Sequence, residues 1–260
     1  SLARGRSARH PFSLVRLLGR YDAATTTVDN ARHWAAADGL SASAANSPEV
    51  RRTLRNRSRY EIANNSYARG ITLTLANDCV GTGPRLQMLT ADALANRFVE
   101  QQFFAWADEI GLAEKLRTMR LARVSDGESF GLLTSNPRID SPVQLDLKLV
   151  EAEQVTSPTL GVDQGRYIDG IQLDEHGNPV TYDVLKEHPG DDAFSLTDNY
   201  DSVDARSVIH YFRCDRPGQI RGIPDITPAL PLFAQLRRFT LAVLAAAETA
   251  ADFAGILYTD

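Results

Sequence analysis

Apolar residues recur with a helical period up to about residue 126 and then switch to alternation, so the chain reads as helices first and strands afterwards. Ser47 caps a helix, Pro48 suits its first position, and the helix runs to about Ala63, where Asn64-Asn65 breaks it. Ser66 then caps a second helical segment, Tyr67 to Asn77, whose β-branched residues leave a strand open at its end. Gly81-Thr82-Gly83-Pro84 is a turn, and Arg85 to Met88 reads as a short strand. Thr90-Ala91-Asp92 starts the clearest helix. Leu94, Phe98, Phe103, Phe104, Trp106 and Ile110 give it a broad apolar face, and Gly111 closes it. A further helix spans Ala113 to Arg123.

The second half alternates. Glu128 to Ser135 and Val143 to Val150 are expected strands, the latter with Val143, Leu145, Leu147 and Leu149 on one side. Tyr167 to Asp174 and Val180 to Lys186 flank a turn at Glu175-His176-Gly177-Asn178-Pro179. Val208 to Arg213 is the next strand, followed by a Pro/Gly loop from Arg216 to Pro224. Thr227 to Asp252 reads as a long Ala/Leu-rich helix, and Gly255 to Tyr258 as the start of another strand. Within this helix, residues 229–252 carry a broad apolar side that needs a partner. Residues 1–46 lack sustained periodicity apart from a short helix at Asp29 to Ala37, and read as an arm. The expected class is α+β: helices packed on a mainly antiparallel or mixed sheet over 47–225, then the long helix within 226–260.

Composition narrows the function classes. At 43% hydrophobic and 23% charged, the 260 residues suit a folded core. The most apolar run, Phe239 to Ala247, is about nine residues against the roughly 20 of a membrane span, so no membrane is expected. The missing initiator Met suggests a trimmed or excerpted chain. Cys79 and Cys214 lie far apart and read as buried free thiols, without zinc or disulfide spacing. The net charge of -5 hides an asymmetry. Residues 1–60 hold eleven Arg against four acids, whereas 161–204 hold eleven acids against two bases.

Catalytic signatures are missing. There is no GxSxG, HExxH or GxxxxGK[ST] pattern, and Gly81-Thr82-Gly83 reads as a turn rather than a phosphate cradle. His10, His33, His176, His188 and His210 show no ligand spacing. His210 reads as a core or interface residue and His176 as a turn residue. Asp126-Gly127-Glu128 offers two carboxylates, the minimum for acid–base or metal work, but a β-turn before a strand gives the same residues. Arg51, Arg52, Arg55 and Arg59 share one helix face, with Arg57 off it. That stripe suits DNA phosphates, the acidic segment of a neighbouring subunit, or solvent, and the sequence leaves all three open. No cofactor, metal site or catalytic residue is expected.

A series of motifs resembles the lambda type of bacteriophage portal protein. Tyr21-Asp22-Ala23-Ala24 and Ala31-Arg32-His33-Trp34 are similar to its opening. The Arg51–Arg59 helix then leads to Asn64-Asn65-Ser66-Tyr67-Ala68-Arg69-Gly70 and Val80-Gly81-Thr82-Gly83-Pro84. Further on come Asp126-Gly127-Glu128-Ser129-Phe130 and Leu149-Val150-Glu151-Ala152-Glu153. Ile209-His210-Tyr211-Phe212 and Arg216-Pro217-Gly218-Gln219-Ile220-Arg221-Gly222-Ile223-Pro224 resemble the loop before the long helix. The resemblance runs from about Tyr21 onward.

The resemblance implies a portal-type wing at about Ser47 to Pro224 and a helix leading toward the stem. It implies a structural, non-enzymatic subunit of a ring, commonly twelve-fold, at one capsid vertex. Its implied partners are identical subunits, double-stranded DNA, terminase, the major capsid protein and head–tail joining proteins. Its implied location is the virion, after assembly in the host cytoplasm. The chain is about half the family's usual length, so stem and clip elements are expected to be missing. Asn64, Asn65, Gly70, Gly81, Gly83, Gly127, Pro217, Gly218, Arg221, Gly222 and Pro224 are the expected structural motif residues. Gly222 and Pro224 are expected to shape the approach to the long helix, Gly through its φ freedom and Pro through its rigidity. A DNA-binding or capsid-associated module that forms no ring is the alternative, and a hydrolase with a dispersed site is a third reading.

Overall fold

The computed structural model describes residues 26–157, 165–191 and 199–253. The chain divides into two compact units, Ser1–Leu40 and Ser41–Asp260. In the first, Thr27 and Asn30 cap each other through side-chain-to-backbone bonds, and 28–36 form turns instead of the helix expected at 29–37. The Tyr21 to Ala24 motif and the strand expected at Gly255 to Tyr258 lie outside the described residues.

In the second unit, which begins at Ser41, a four-residue helix, α1 (Ala42–Ala45), precedes α2 (Pro48–Asn64). Ser47 caps α2 by accepting from the Val50 N–H. The next helix, α3 (Ser66–Val80), is capped by Asn65, one residue before the expected Ser66. It runs on to Gly81, whose φ of 54° ends it, so no strand forms at its end. Arg85 to Met88 is irregular rather than a strand, its Met88 N–H tied to Glu100. Gly83 lies so close to the following layer that a Cβ would stand 2.8 Å from Ala113 Cβ. Helices α4 (Ala93–Glu109) and α5 (Leu112–Asp126) meet at Gly111, in the left-handed region.

Among the described residues all strand pairing is antiparallel. β1 (Glu128–Ser135) is central to a three-stranded sheet, flanked by β2 (Leu145–Val150) and β7 (Val208–Phe212). A second sheet runs β3 (Tyr167–Ile168), β4 (Ile171–Leu173), β5 (Pro179–Leu185), β6 (Tyr200–Asp204). The single strand expected at Tyr167 to Asp174 is two, because Asp169 and Gly170 both adopt positive φ and fold it into a hairpin. β6 was not anticipated: its residues Tyr-Asp-Ser-Val-Asp are mostly exposed and show no apolar alternation. The turn after β4 forms as expected, with Asp174 accepting from the His176 and Asn178 N–H groups.

Three apolar clusters hold these layers. One joins the two sheets through Phe130, Leu132, Val155, Ile171, Tyr182 and Val184. The other face of β1 meets α5, where a Cβ on Gly131 would lie 2.6 Å from Leu147 Cδ1 and displace the tip of that side chain. There Met119 and Leu147 pack with Ile110, Leu112 and Ile139. The third cluster gathers Ala68, Val124, Ile226, Leu230 and Phe233, seating the start of α6 (Leu230–Asp252) on the other helices. Each fully buried side chain of this size contributes on the order of 1.5–3 kcal/mol. The expected class, helices on antiparallel sheets followed by a long helix, is the class observed.

Candidate functional site

The inward side of α2 is charged. Arg51, Arg55, Ser58 and Glu61 are its buried residues, at the three- and four-residue spacing that an apolar stripe would ordinarily occupy. A buried charge is tolerated only where it is paired and hydrogen-bonded. The fold meets that condition with carboxylates brought from distant segments.

Glu128 lies at the centre, at the first position of β1 and fully buried. Arg221 grips it from the side, Nε at 3.0 and 2.9 Å from its two oxygens and Nη2 at 2.7 Å from Oε1. The Gly222 N–H donates to Oε2 at 2.9 Å, and His210 Nε2 stands 3.1 Å from the same oxygen. The His210 ring is stacked between Phe130 and Phe212, with centroids 4.2 and 4.4 Å away. Arg221 spends its remaining donors on the carbonyls of Val155, Asp169 and Ala152 and on Asp169 Oδ2. All five of its N–H groups are thus engaged.

Asp169, on the β3–β4 hairpin, is shared by Arg221, Arg51 and the Thr156 hydroxyl. Arg51 also donates to the Asn46 carbonyl, and Asn46 in turn donates to the Arg221 carbonyl at 2.9 Å. Arg55 reaches toward Glu128 and pairs with Glu153 at 3.3 Å. Arg59, part-exposed, closes the outer end on Asp126 at 2.7 Å, Glu153 at 2.9 Å and Glu151 at 3.2 Å. Four arginines, three from α2 and one from the loop before α6, therefore meet five carboxylates from four segments of the chain.

Burial alone would raise the Glu128 carboxyl, but Arg221 and His210 reverse this and hold it well below the usual carboxylate range. The same contest, with Arg221 and Arg51, lowers Asp169. Burial lowers His210, against the pull of Glu128, so the ring is held neutral and donates as an imidazole. Burial raises Asp126 despite Arg59. The inner carboxylates are thus ionised, and their bonds are spent on structure.

Two glycines let the backbone close around this centre. A Cβ on Gly222 would stand 2.0 Å from the Gly127 carbonyl oxygen, and one on Gly127 would stand 2.5 Å from the Ile223 carbonyl carbon. Gly127 also has φ of 92°. The expected role for Gly222 is thereby corrected: space, not φ, requires glycine there. Pro224 is fully buried just beyond it. Gly218 turns the loop with φ of 76°, after Pro217. Asn65 caps α3, Asn64 bonds back to the Tyr60 carbonyl, and Gly70 lies in α3 with open space beside it.

The Arg stripe accordingly does not behave as one surface. Arg51 and Arg55 are buried on carboxylates of their own chain, and Arg59 is bound to three of them. Arg52, with Arg57, is exposed. Asp169 does come from the acidic 161–204 segment, but it pairs with Arg51 within the chain. Sequence reasoning missed Asp169, Glu151 and Glu153 as partners because they lie about a hundred positions away. The available signal was the unusual α2 pattern, arginines where an apolar stripe belongs. Cys79 and Cys214 are exposed thiols, not buried ones. His210 is in the core, and His176 is in the exposed turn.

Glu151, Glu153 and His188 bring ligand atoms within 4.8 Å of one another. Arg59 already bridges both carboxylates there, so the trio reads as an ion-pair cluster rather than a cation site. Thr227–Asp252 is long and apolar enough to cross a membrane, by length and composition only. That corrects the expectation drawn from its nine-residue apolar run, as to length and composition. Arg237 and Arg238 sit mid-helix, and Arg237 pairs with Glu61 of α2 at 2.5 Å, while its guanidinium lies over the Tyr60 ring.

The chain matches the family described as phage portal protein, lambda family, over residues 29–260. It belongs to that family. No curated protein matches it. As a lambda-family portal protein the chain has a structural, non-catalytic role in virion assembly and DNA packaging. The buried ionic centre of this portal protein is accordingly a junction. It ties α2, the start of β1, the β3–β4 hairpin and the loop before α6 into one piece.

Proposed function

We propose that this portal protein is a subunit of a ring, commonly twelve-fold in the family, set at one capsid vertex as the conduit for DNA packaging and ejection. The observation that carries the reading is the family match over residues 29–260. The fold supports it: a folded wing at 47–225 leads into a long helix whose far part is exposed among the described residues. The ring also serves as the platform for terminase, the major capsid protein and the head–tail joining proteins, and assembles in the host cytoplasm before residing in the virion. Arg52, exposed on α2, is the member of the Arg stripe assigned to a neighbouring subunit or to DNA.

Light scattering after size-exclusion chromatography, with negative-stain electron microscopy of the same fractions, tests the reading. A discrete species of about a dozen subunits with a central channel supports it. A monomer at every protein and salt concentration overturns it for this chain.

A further inference from the structure

A cavity of about 280 Å³ lies between α5 and the β1–β2 pair, beside the outer end of the ion-pair junction. That is close to the lower end of the range for small-molecule sites, about 300–1,000 Å³. Met119 and Ala122 from α5, with Leu149, Val150 and Ala152, give it a mainly apolar wall. Alternation along β1 turns Phe130 and Leu132 into the cluster between the sheets, and so turns Ser129 and Gly131 toward α5. Ser129 lines the cavity and is 4% exposed, yet its Oγ has no hydrogen-bond partner among the described residues. Buried hydroxyls are ordinarily bonded, so this one points to a polar occupant.

The charged part of the lining is acidic. Asp126 and Glu151 both line the cavity; Arg59 takes Oδ1 of the first and Oε2 of the second, and each keeps another oxygen that Arg59 does not use. Glu128 also lines it, but its oxygens are taken by Arg221, His210 and the Gly222 N–H. Across the whole junction five carboxylates face four guanidiniums, and His210 at the centre is held neutral. The junction is therefore one positive charge short. Burial raises the Asp126 carboxyl despite Arg59, as expected of a charge compensated only in part.

We propose that this cavity is a binding site for a small aliphatic ammonium ion, a primary amine in its protonated form. Its N–H groups donate to Ser129 Oγ and the Asp126 carboxylate, and its alkyl stem packs on Met119, Leu149 and Val150. Other classes of ligand fit the lining less well. An anion would meet Asp126 and Glu151. A neutral apolar molecule would leave the Ser129 hydroxyl unbonded, which a buried polar group resists. A divalent ion of the hard type takes about six oxygen ligands, whereas this wall is mostly carbon. One ammonium supplies the missing charge and a donor for the hydroxyl, and its stem suits the apolar wall.

Isothermal titration calorimetry of the whole chain with butylammonium chloride, at neutral pH and constant ionic strength, tests this. One saturable site is expected, and the bound ion should raise the melting temperature. Ser129→Ala removes only the unpartnered hydroxyl, so it should fold as the parent does and bind at least about tenfold more weakly, as for a lost hydrogen bond to a charged group. Ala122→Leu fills the cavity and should abolish binding. Its circular dichroism spectrum shows whether the fold is kept, and if it is not, Ser129→Ala decides alone. Butanol, which has the same stem without the charge, should not compete. Equal competition by butanol assigns the cavity to apolar molecules and overturns the proposal. Displacement by magnesium chloride overturns it in favour of a divalent ion. The absence of a saturable heat, or binding unchanged in Ser129→Ala, overturns the site itself.

Discussion

Arg221 holds Glu128 through three short hydrogen bonds in a place neither side chain shares with water, although 93 positions separate them in sequence. The pair joins the loop before α6 to the first residue of the central strand. Its neighbours, Gly222 N–H and His210, complete the shell of the same carboxylate. A buried ion pair of this kind adds little net stability over a well-packed apolar pair, because desolvation offsets most of the attraction. What it supplies is a demand for one arrangement, since each misplacement strands a charge.

Glu128→Gln keeps the shape and removes the charge, leaving Arg221 and Arg55 partly uncompensated in the interior. The expected loss is about 3–5 kcal/mol in urea denaturation. Arg52→Gln, on the exposed side of the same α2, is expected within about 0.5 kcal/mol of the parent. Equal effects from the two changes would show that the buried centre carries no special weight.

The glycines separate by location. Gly222→Ala drives a Cβ to 2.0 Å from the Gly127 carbonyl oxygen, a backbone atom that cannot swing aside, so the loop must shift. The expected loss is about 1–3 kcal/mol, on the scale of overpacking. Gly70→Ala, in the middle of α3 with nothing within 4 Å, should instead stabilise by about 0.5–1 kcal/mol. Thermal melts of the two variants should move in opposite directions.

The dependence on pH has a definite sign. Folding depresses His210 from 6.5, so below that value the unfolded chain takes up a proton that the folded one refuses. Stability from this residue is complete above pH 6.5 and declines as the pH falls toward the folded value. Glu128, depressed well below 4.5, adds its own loss at lower pH still. His210→Gln keeps a donor for Glu128 without a titrating ring. Its melting temperature is expected to vary less than the parent's between pH 6.5 and 5.

Cys79 and Cys214 are free and exposed. In the unassembled chain both should react with a thiol-specific chromogenic reagent without denaturant, giving two equivalents in the first phase. Reaction of either only after unfolding would contradict their placement at the surface.

The order and type of most elements were legible along the chain. Ser47-Pro48 marks the start of α2, the amphipathic run from Leu94 marks α4, and Asp174 to Asn178 forms the turn that its residues foretell. These signals are local: caps, periods and turns depend on neighbours a few residues away. β6 was not legible, because an edge strand facing water needs no apolar alternation. The hairpin at Asp169-Gly170 was hidden too, since a non-glycine residue with positive φ leaves no mark in the sequence.

The sequence by itself determined most of the helices and strands, the family and the absence of recognisable catalytic motifs. It could not determine which way α2 faces. A row of arginines on a helix reads as a surface, and it became an interior only because Glu128, Glu153 and Asp169 converge on it in the folded chain. Burial of charge is decided by whether partners arrive to replace water, and their arrival is a property of tertiary structure alone.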